Sequence, residues 1–499
     1  MTSNTGIVAS GEKGTIYEEQ VGDSNLSEST DDFTWTVEEE TAVRRKLDKV
    51  IVPLTTLLYL LCFLDRVNVG NARIQGMEKD LNLYGVRFNW VTSIFYIVYM
   101  FVEVPSNILL KIIGPKYYLP LLVCGFGFVS MCSAFVHSFE GLLAARAFLG
   151  IFEGGVMPGL AFFITCFYKR QELLFRVGIY VSAASLAGAF GGLLATGLAR
   201  IPPWGAAGMI IKTWRNIFFF EGLFTVIVGL VAPYFMPKSP AECWFLTERE
   251  RRIAMERLVL KGGADENENV ELHHVTRSFF NINNYICAVG FFLINITVQG
   301  ISLFMPTILA DLGWTATKAQ LYTVPPYVCA CAVAIGVAFV SDKTNRRGIY
   351  LAAFTLLAIA GFSIMRWATN PDVRYAGVFL ITLGAFPGGP GFLSWGMNNA
   401  AGPAVRAVSS AYIVTLGTAG GVLATWTYVS TEKPKYPTGH TINLAGQLGV
   451  LVLSLAGIAY CKWENRQRER GKRDHRLNGL SASQMRDLGY RHPDFRYIT

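Results

Sequence analysis

Long apolar runs alternate with short polar turns along this chain, and each run has the length of a bilayer crossing. A helix needs about 20 mostly apolar residues to span the hydrocarbon layer. Twelve segments reach that length, near 48–66, 88–110, 118–137, 141–167, 176–199 and 215–236, then near 284–305, 321–341, 349–367, 374–396, 406–428 and 442–461. Six spans, a long polar loop and six more spans predict an all-α membrane protein of twelve transmembrane helices. An N-terminal six-helix bundle covers 48–236, a central loop 237–282, and a C-terminal six-helix bundle 283–461, with tails at 1–47 and 462–499.

The polar segments orient these spans. Basic residues gather on one side: Arg44, Arg45, Lys46 and Lys49 before the first span, Lys111 and Lys116 after the second, and Lys169, Arg170 and Arg176 after the fourth. The same side holds the central loop (Lys238, Arg249, Arg251, Arg252, Arg257, Lys261, Arg277), then Lys343, Arg346 and Arg347, and the tail from Lys462 to Arg476. The opposite loops are poorer by roughly twofold, which places both tails in the cytoplasm. Inside the central loop, Thr247 and Glu250 have the spacing of a capping box that opens a short amphipathic helix running to Leu260, read as a stiffener of the linker. A weak internal repeat matches the turn after the second span (Asn107–Lys116) to the turn after the eighth (Gly336–Gly348).

Composition agrees with burial in lipid. Hydrophobic residues make up 52% and charged ones only 16%, where a soluble protein carries roughly 25% charge. The net charge of +8 lies in the short inter-span segments, and no zinc finger, helix-turn-helix or aromatic-interleaved basic stripe accompanies it, so nucleic acid is not an expected partner. Seven of the nine cysteines (Cys62, Cys124, Cys132, Cys166, Cys287, Cys329, Cys331) sit within apolar runs, where they read as small hydrophobic side chains. No metal or disulfide spacing is present, and no cofactor is expected. The first forty residues are polar and acidic, without the basic and apolar regions of a signal peptide, and Asn25-Leu26-Ser27 matches a glycosylation pattern on what reads as a disordered cytoplasmic tail.

Against this background, charges within the spans stand out, because each costs at least a few kcal/mol in hydrocarbon and marks a functional site by default. Asp65 and Arg66 fall in the outer part of span one; Arg146 and Glu153 fall in span four, two helical turns apart on nearly one face. Such a set can be a static network locking span one to span four. It can equally be a transport site, in which arginine grips a carboxylate with its planar fork and an acid takes and releases a proton, burial raising its affinity for that proton. Glu103 and Glu221 are weaker candidates, with structural roles favoured. Asn295 and Gln299, one turn apart in span seven, can orient a substrate or bond neighbouring helices, and Asn398 and Asn399 follow span ten. No nucleophile–base or metal constellation supports an enzyme.

The segments FLDRVNVGNARIQGMEKDL, EVPSNILLK, RAFLGIFEGGVMPG, SAASLAGAFGGLLA, WRNIFFFEGL and LGYRHPDFRY, in that order, resemble the anion:cation symporter family of the major facilitator superfamily, in its fungal allantoate permease branch. The resemblance runs from about Trp35 into the tail. It implies the two-bundle fold with alternating access and proton-coupled uptake of small carboxylates such as allantoate, nicotinate or pantothenate at the plasma membrane. It also implies substrate contacts at Arg66 and Arg146, proton coupling at Asp65 and Glu153, and a gating motif at Asp342 and Arg346. This sequence offers Asn295 and Gln299 where some relatives carry a basic residue in span seven. The expected partners are therefore a small organic anion, protons and the bilayer, with the chain acting as a monomer. A proton-driven efflux antiporter and a transporter-shaped nutrient sensor are the alternatives. The absence of a Gly-Pro pair in span five counts against the first, and short tails count against the second.

Overall fold

A computed structural model describes residues 35–206, 209–259, 276, 278–401, 403–480, 485 and 488–499. The first half holds α1 (Val37–Ala72), α2 (Arg87–Ile113), α3 (Pro115–Ser133), α4 (Phe139–Glu153), α5 (Val156–Thr165), α6 (Arg170–Leu198) and α7 (Trp214–Phe235). A short hairpin, Trp204–Ala206 against Met209–Ile211, sits between α6 and α7. After α8 (Glu248–Val259) come α9 (Ile282–Asp311), α10 (Ala316–Thr344), α11 (Arg347–Trp367), α12 (Pro371–Ala385), α13 (Gly388–Asn398), α14 (Pro403–Ala424) and α15 (Pro437–Glu469). Among the described residues, eleven helical units are long and apolar enough to cross a membrane, and the shorter apolar stretch Val408–Ala424 within α14 takes the place of a twelfth. The fourth and tenth spans, which hold equivalent places in the two halves, are each broken: α4 meets α5 at Gly154-Gly155, and α12 meets α13 at Phe386-Pro387.

Helices form here because hydrocarbon offers no partner to an unpaired backbone group. Their faces divide by what they meet. On α2, Phe101, Val104, Ile108 and Ile112 form an exposed apolar stripe at helical spacing, while Phe95, Tyr99, Glu103 and Ser106 are buried on the opposite face. The polar face of a membrane helix thus points inward, and that is where the site lies.

Four helices, α1, α9, α10 and α15, are markedly longer than the hydropathy pattern predicts. Residues 37–47, read from sequence as tail, are the first turns of α1, opened by a capping box between Thr36 and Glu39. At its other end α1 runs on to Ala72, past the expected end near 66, so helix continues beyond Asp65 and Arg66. The remainder of that tail, residues 1–34, lies outside the described residues. The capping box of α8 is present, with the Thr247 amide donating to Glu250 Oε2 at 3.0 Å and the Glu250 amide to Thr247 Oγ1 at 3.4 Å; Leu260 lies outside the described residues. This helix is docked on the first half. Lys46 pairs with Glu250 at 2.7 Å, and Arg257 donates to the Phe167 carbonyl at 2.8 Å. The C-terminal segment also folds back. Trp395 Nε1 and Asn399 Nδ2 donate to the Ile498 carbonyl at 2.8 and 3.0 Å, and Arg468 donates to the Tyr490 and Phe495 carbonyls.

Both described chain ends lie at one end of the bundle, the near end. At the far end the halves touch closely. Gly70 of α1 crosses α9 so tightly that a Cβ would run into the Leu303 carbonyl oxygen, and one on Gly192 would lie 2.5 Å from that of Gln320. Hydrogen bonds seal the same end. Asn89 Nδ2 donates to the Thr425 carbonyl at 2.5 Å, Gln75 Nε2 to Gln320 Oε1 at 2.8 Å, and Arg73 Nη2 to Ser430 Oγ at 2.7 Å. The ion pair of Glu78 with Lys433 at 3.6 Å joins them.

Candidate functional site

Between the halves lies a cavity of about 900 Å³, counting the space through which it opens. Its first-half wall includes Arg66, Tyr59, Phe63, Tyr96 and Tyr99; its second-half wall includes Phe291, Asn295, Gln299 and Phe386. A second, largely apolar cavity shares Ser182, Ala334 and Pro390 with it and reaches Ser341, Arg347 and Tyr350 at the near end. The central cavity is therefore closed at the far end, where Tyr96 donates to Gln299 Oε1 at 2.8 Å across the halves, and leads toward the near end.

Arg66 is the cation of this cavity wall. Its Nε donates to Glu153 Oε2 at 2.6 Å, and its guanidinium lies over the rings of Tyr99, Phe95 and Phe63 at 4.9, 5.3 and 5.8 Å. Glu153 is fully buried; Oε2 also accepts the Cys62 thiol at 3.2 Å, while Oε1 has no partner among the described residues. Cys62 and Arg66 are one turn apart on α1, and Arg66 Nη2 reaches the Cys62 sulfur at 3.5 Å. Sequence reading passed over Cys62 as a packing residue, although its four-residue spacing from Arg66 places it on the same helix face.

The other predicted charges sit behind the wall. Asp65 takes a hydrogen bond from Ser130 Oγ at 2.6 Å through Oδ1 and leaves Oδ2 without a partner among the described residues. Arg146, 4% exposed, does not line the cavity; its guanidinium lies 5.4 Å from the Phe218 ring, and Nε and Nη2 are without partners among the described residues. The opposite charges that act on it are Asp65 and Glu153. The four charged residues singled out in the first half thus gather in one place, but only Arg66 and Glu153 pair directly. Asn295 and Gln299 both line the cavity, as their shared face requires, with Asn295 Nδ2 donating to the Gly417 carbonyl at 3.0 Å. Asn399 instead holds the C-terminal segment.

The predicted gating residues lie apart, at the near end. Asp342 is close to the end of α10, its side chain outside the described part of the structure. Arg346 is exposed at the N-cap of α11, its carbonyl accepting from Ser341 Oγ at 3.5 Å.

Two six-helix halves around a polar, aromatic-walled cavity sealed at one end define a membrane transporter. The chain belongs to the Major Facilitator Superfamily, whose family model matches residues 55–425. It is 30% identical to the major facilitator-type transporter hxnP of Emericella nidulans, over 97% of both chains. Its identity to the high-affinity nicotinic acid transporter of Saccharomyces cerevisiae is 29%, over 92% of this chain and 85% of that one. To the MFS-type transporter efuF of Hormonema carpetanum it is 32%, over 86% and 87%. Among solved structures, a bacterial homologue of the human lysosomal transporter Spinster, inward-facing and unoccupied, superposes with a TM-score of 0.62 at 16% identity, covering 86% of this chain and 99% of that one. The Escherichia coli fucose:proton symporter gives 0.57 at 14%, covering 82% and 98%; at such identities the likeness is one of fold.

Proposed function

We propose that this chain is a proton-coupled symporter that carries a small organic anion, a carboxylate of the nicotinate, pantothenate or allantoate kind, across the plasma membrane. The observation that carries the reading is the Arg66–Glu153 pair at the cavity wall. With Glu153 ionised, Arg66 is occupied. A proton on the unpartnered Oε1 turns the ion pair into a hydrogen bond from the still-charged guanidinium to a neutral acid, and the guanidinium then turns to a substrate carboxylate in the cavity. Proton and anion are in this way taken together. Asn295 and Gln299 orient the rest of the substrate, and the aromatic wall packs a flat or apolar body. Asp65 carries the second coupling acid, and Arg146 serves as the fixed counter-charge behind the wall. The near end faces the cytoplasm, in keeping with the basic residues around it, so the described state is open inward. Rocking of the halves breaks the far-end seal and exposes the site outside.

The relative that transports nicotinic acid supports the substrate class. A competition panel of nicotinate, pantothenate, allantoate, biotin and short dicarboxylates against uptake in cells tests it. Acid-stimulated uptake of at least one carboxylate is expected, lost in Arg66→Ala at normal expression. Uptake of none of them, or full uptake by Arg66→Ala, rejects the reading.

A further inference from the structure

Besides Glu103 of α2, the buried acid the mechanism leaves unused is Glu221 of α7. It is 7% exposed, Asn68 Nδ2 donates to its Oε2, and its Oε1 has no partner among the described residues. Asn68 lies three residues after Asp65, so α1 presents the acid and the amide on one face, toward α3 and α7.

The other charge on α7 itself is Arg215, six residues before Glu221, which donates to the Ala134 carbonyl at 2.6 Å. On α1 the one charge that acts on Glu221 is Asp65. The α3 surface packed on this part of α7 is Gly127 and Met131. From α4 comes Arg146, seated over Phe218 on the Glu221 helix itself and acted on by Asp65 and Glu153. Between 176 and 198, α6 carries Arg176, bonded to Asp48, and Tyr180, set edge-on against Tyr59. Arg73, beyond the end of α1, is spent on Glu78. Glu103 of α2 is acted on by Arg66, on the cavity side.

Of the four buried acids in this half of the bundle core, Glu153 pairs with Arg66, Arg66 also acts on Glu103, and Arg146 acts on Asp65, whereas Glu221 has no cation acting on it among the described residues. An ionised carboxylate buried without a cation costs several kcal/mol, so in the described state it holds a proton. Two residues beyond Asn68, Gly70 begins the tight crossing with α9, and the Asn71 carbonyl takes a bond from Gln320. Gly70 lies on the side of α1 away from Asn68, so opening of the far end frees the α9 side of the helix whose other side carries Asp65 and Asn68.

We propose that Glu221 is a third coupling carboxyl, which takes a proton from the far-side solution when the seal opens and gives it up to the near side in each cycle. The step is a simple protonation and deprotonation of the carboxyl group. It rests on the symport reading, and it adds one proton per substrate to that reading.

The test is the proton-to-substrate ratio in liposomes at zero membrane potential, with the panel carboxylate that the wild type takes up fastest as probe. Folding is read separately from elution profile and melting temperature. Glu221→Gln keeps the shape and the hydrogen bond but cannot titrate. Its ratio should fall by one proton, and accumulation should drop about tenfold for each pH unit of gradient; Glu221→Asp should restore the ratio. A carboxyl that only holds the helices together predicts the same ratio in wild type and Glu221→Gln, and that result overturns the proposal. If Glu221→Gln does not fold, Asn68→Ala, which strips the hydrogen bond donated to Glu221 but leaves its carboxyl titratable, should keep the ratio and shift the pH of half-maximal accumulation, and an unshifted pH profile there also overturns it. No proton movement in the wild type would instead reject the symport reading itself.

Discussion

Replacing Glu153 by glutamine isolates the step in which a proton frees Arg66. The substitution keeps the size of the side chain and an oxygen able to accept the Arg66 Nε bond now 2.6 Å long. What it removes is the charge. The guanidinium stays charged, so the bonds to glutamate and to glutamine both fall within the roughly 1.5–3 kcal/mol of hydrogen bonds to charged groups. Moving from the upper to the lower part of that range on loss of the acceptor's charge weakens the hold on Arg66 by about 1–1.5 kcal/mol. A substrate carboxylate competing for the guanidinium gains that difference, which corresponds to roughly five- to twelvefold tighter binding at neutral pH. Arg66 is not stranded by the change, because it keeps the Tyr99 and Phe95 rings beneath it, and the variant should fold. Equilibrium binding of labelled carboxylate to purified protein, at acidic and at neutral pH, reads the effect. The wild type should bind more weakly as pH rises and Glu153 ionises. Glu153→Gln should lose most of this pH dependence and match the acidic wild type throughout. Wild-type pH dependence retained in Glu153→Gln would refute the competition of Glu153 and substrate for one guanidinium.

Other perturbations test neighbouring parts of the account. Arg146→Ala removes the stronger of the two positive charges acting on Asp65 and should lower the melting temperature; Arg146→Ala combined with Asp65→Asn should recover much of the loss, and no recovery would reject the counter-charge role. Tyr96→Phe removes the hydroxyl that bonds Gln299 across the halves, a loss of roughly 0.5–1.5 kcal/mol. It should raise the far-open population up to about tenfold, measured by spin-label distances across the far end; unchanged distances count against a sealing role. Trp395→Phe deletes the indole donor to the Ile498 carbonyl and should speed hydrogen exchange in residues 495–499 without altering the central cavity. Exchange unchanged from wild type would show that this bond does not hold the segment.

How much of this was legible in the sequence follows from what each feature depends on. The spans were legible because lipid demands long apolar runs, and the charges at Asp65, Arg66, Arg146 and Glu153 stood out against them. Helix ends were not, because the polar turns of α1 before residue 48 are held by Lys46–Glu250 and Arg176–Asp48 contacts that hydropathy does not register. Which arginine faces the cavity depends on the rotation of α1 against α4, a tertiary quantity. Cys62 was hidden by being ordinary in an apolar run. The far-end seal was hidden more deeply, since Asn89, Gln320 and Thr425 are neutral polar residues whose partners lie hundreds of positions away. The pairing of C-terminal carbonyls with Trp395, Asn399 and Arg468 has no local signal at all.

The account stands most directly on whether a proton gradient alone drives a carboxylate uphill through Arg66. Purified protein in liposomes, clamped at zero membrane potential with the outside acidic, should concentrate the best carboxylate of the panel inside, collapse that store when a protonophore is added, and show neither effect with Arg66→Ala. Accumulation that survives the protonophore, or that Arg66→Ala supports as well as the wild type, would contradict it.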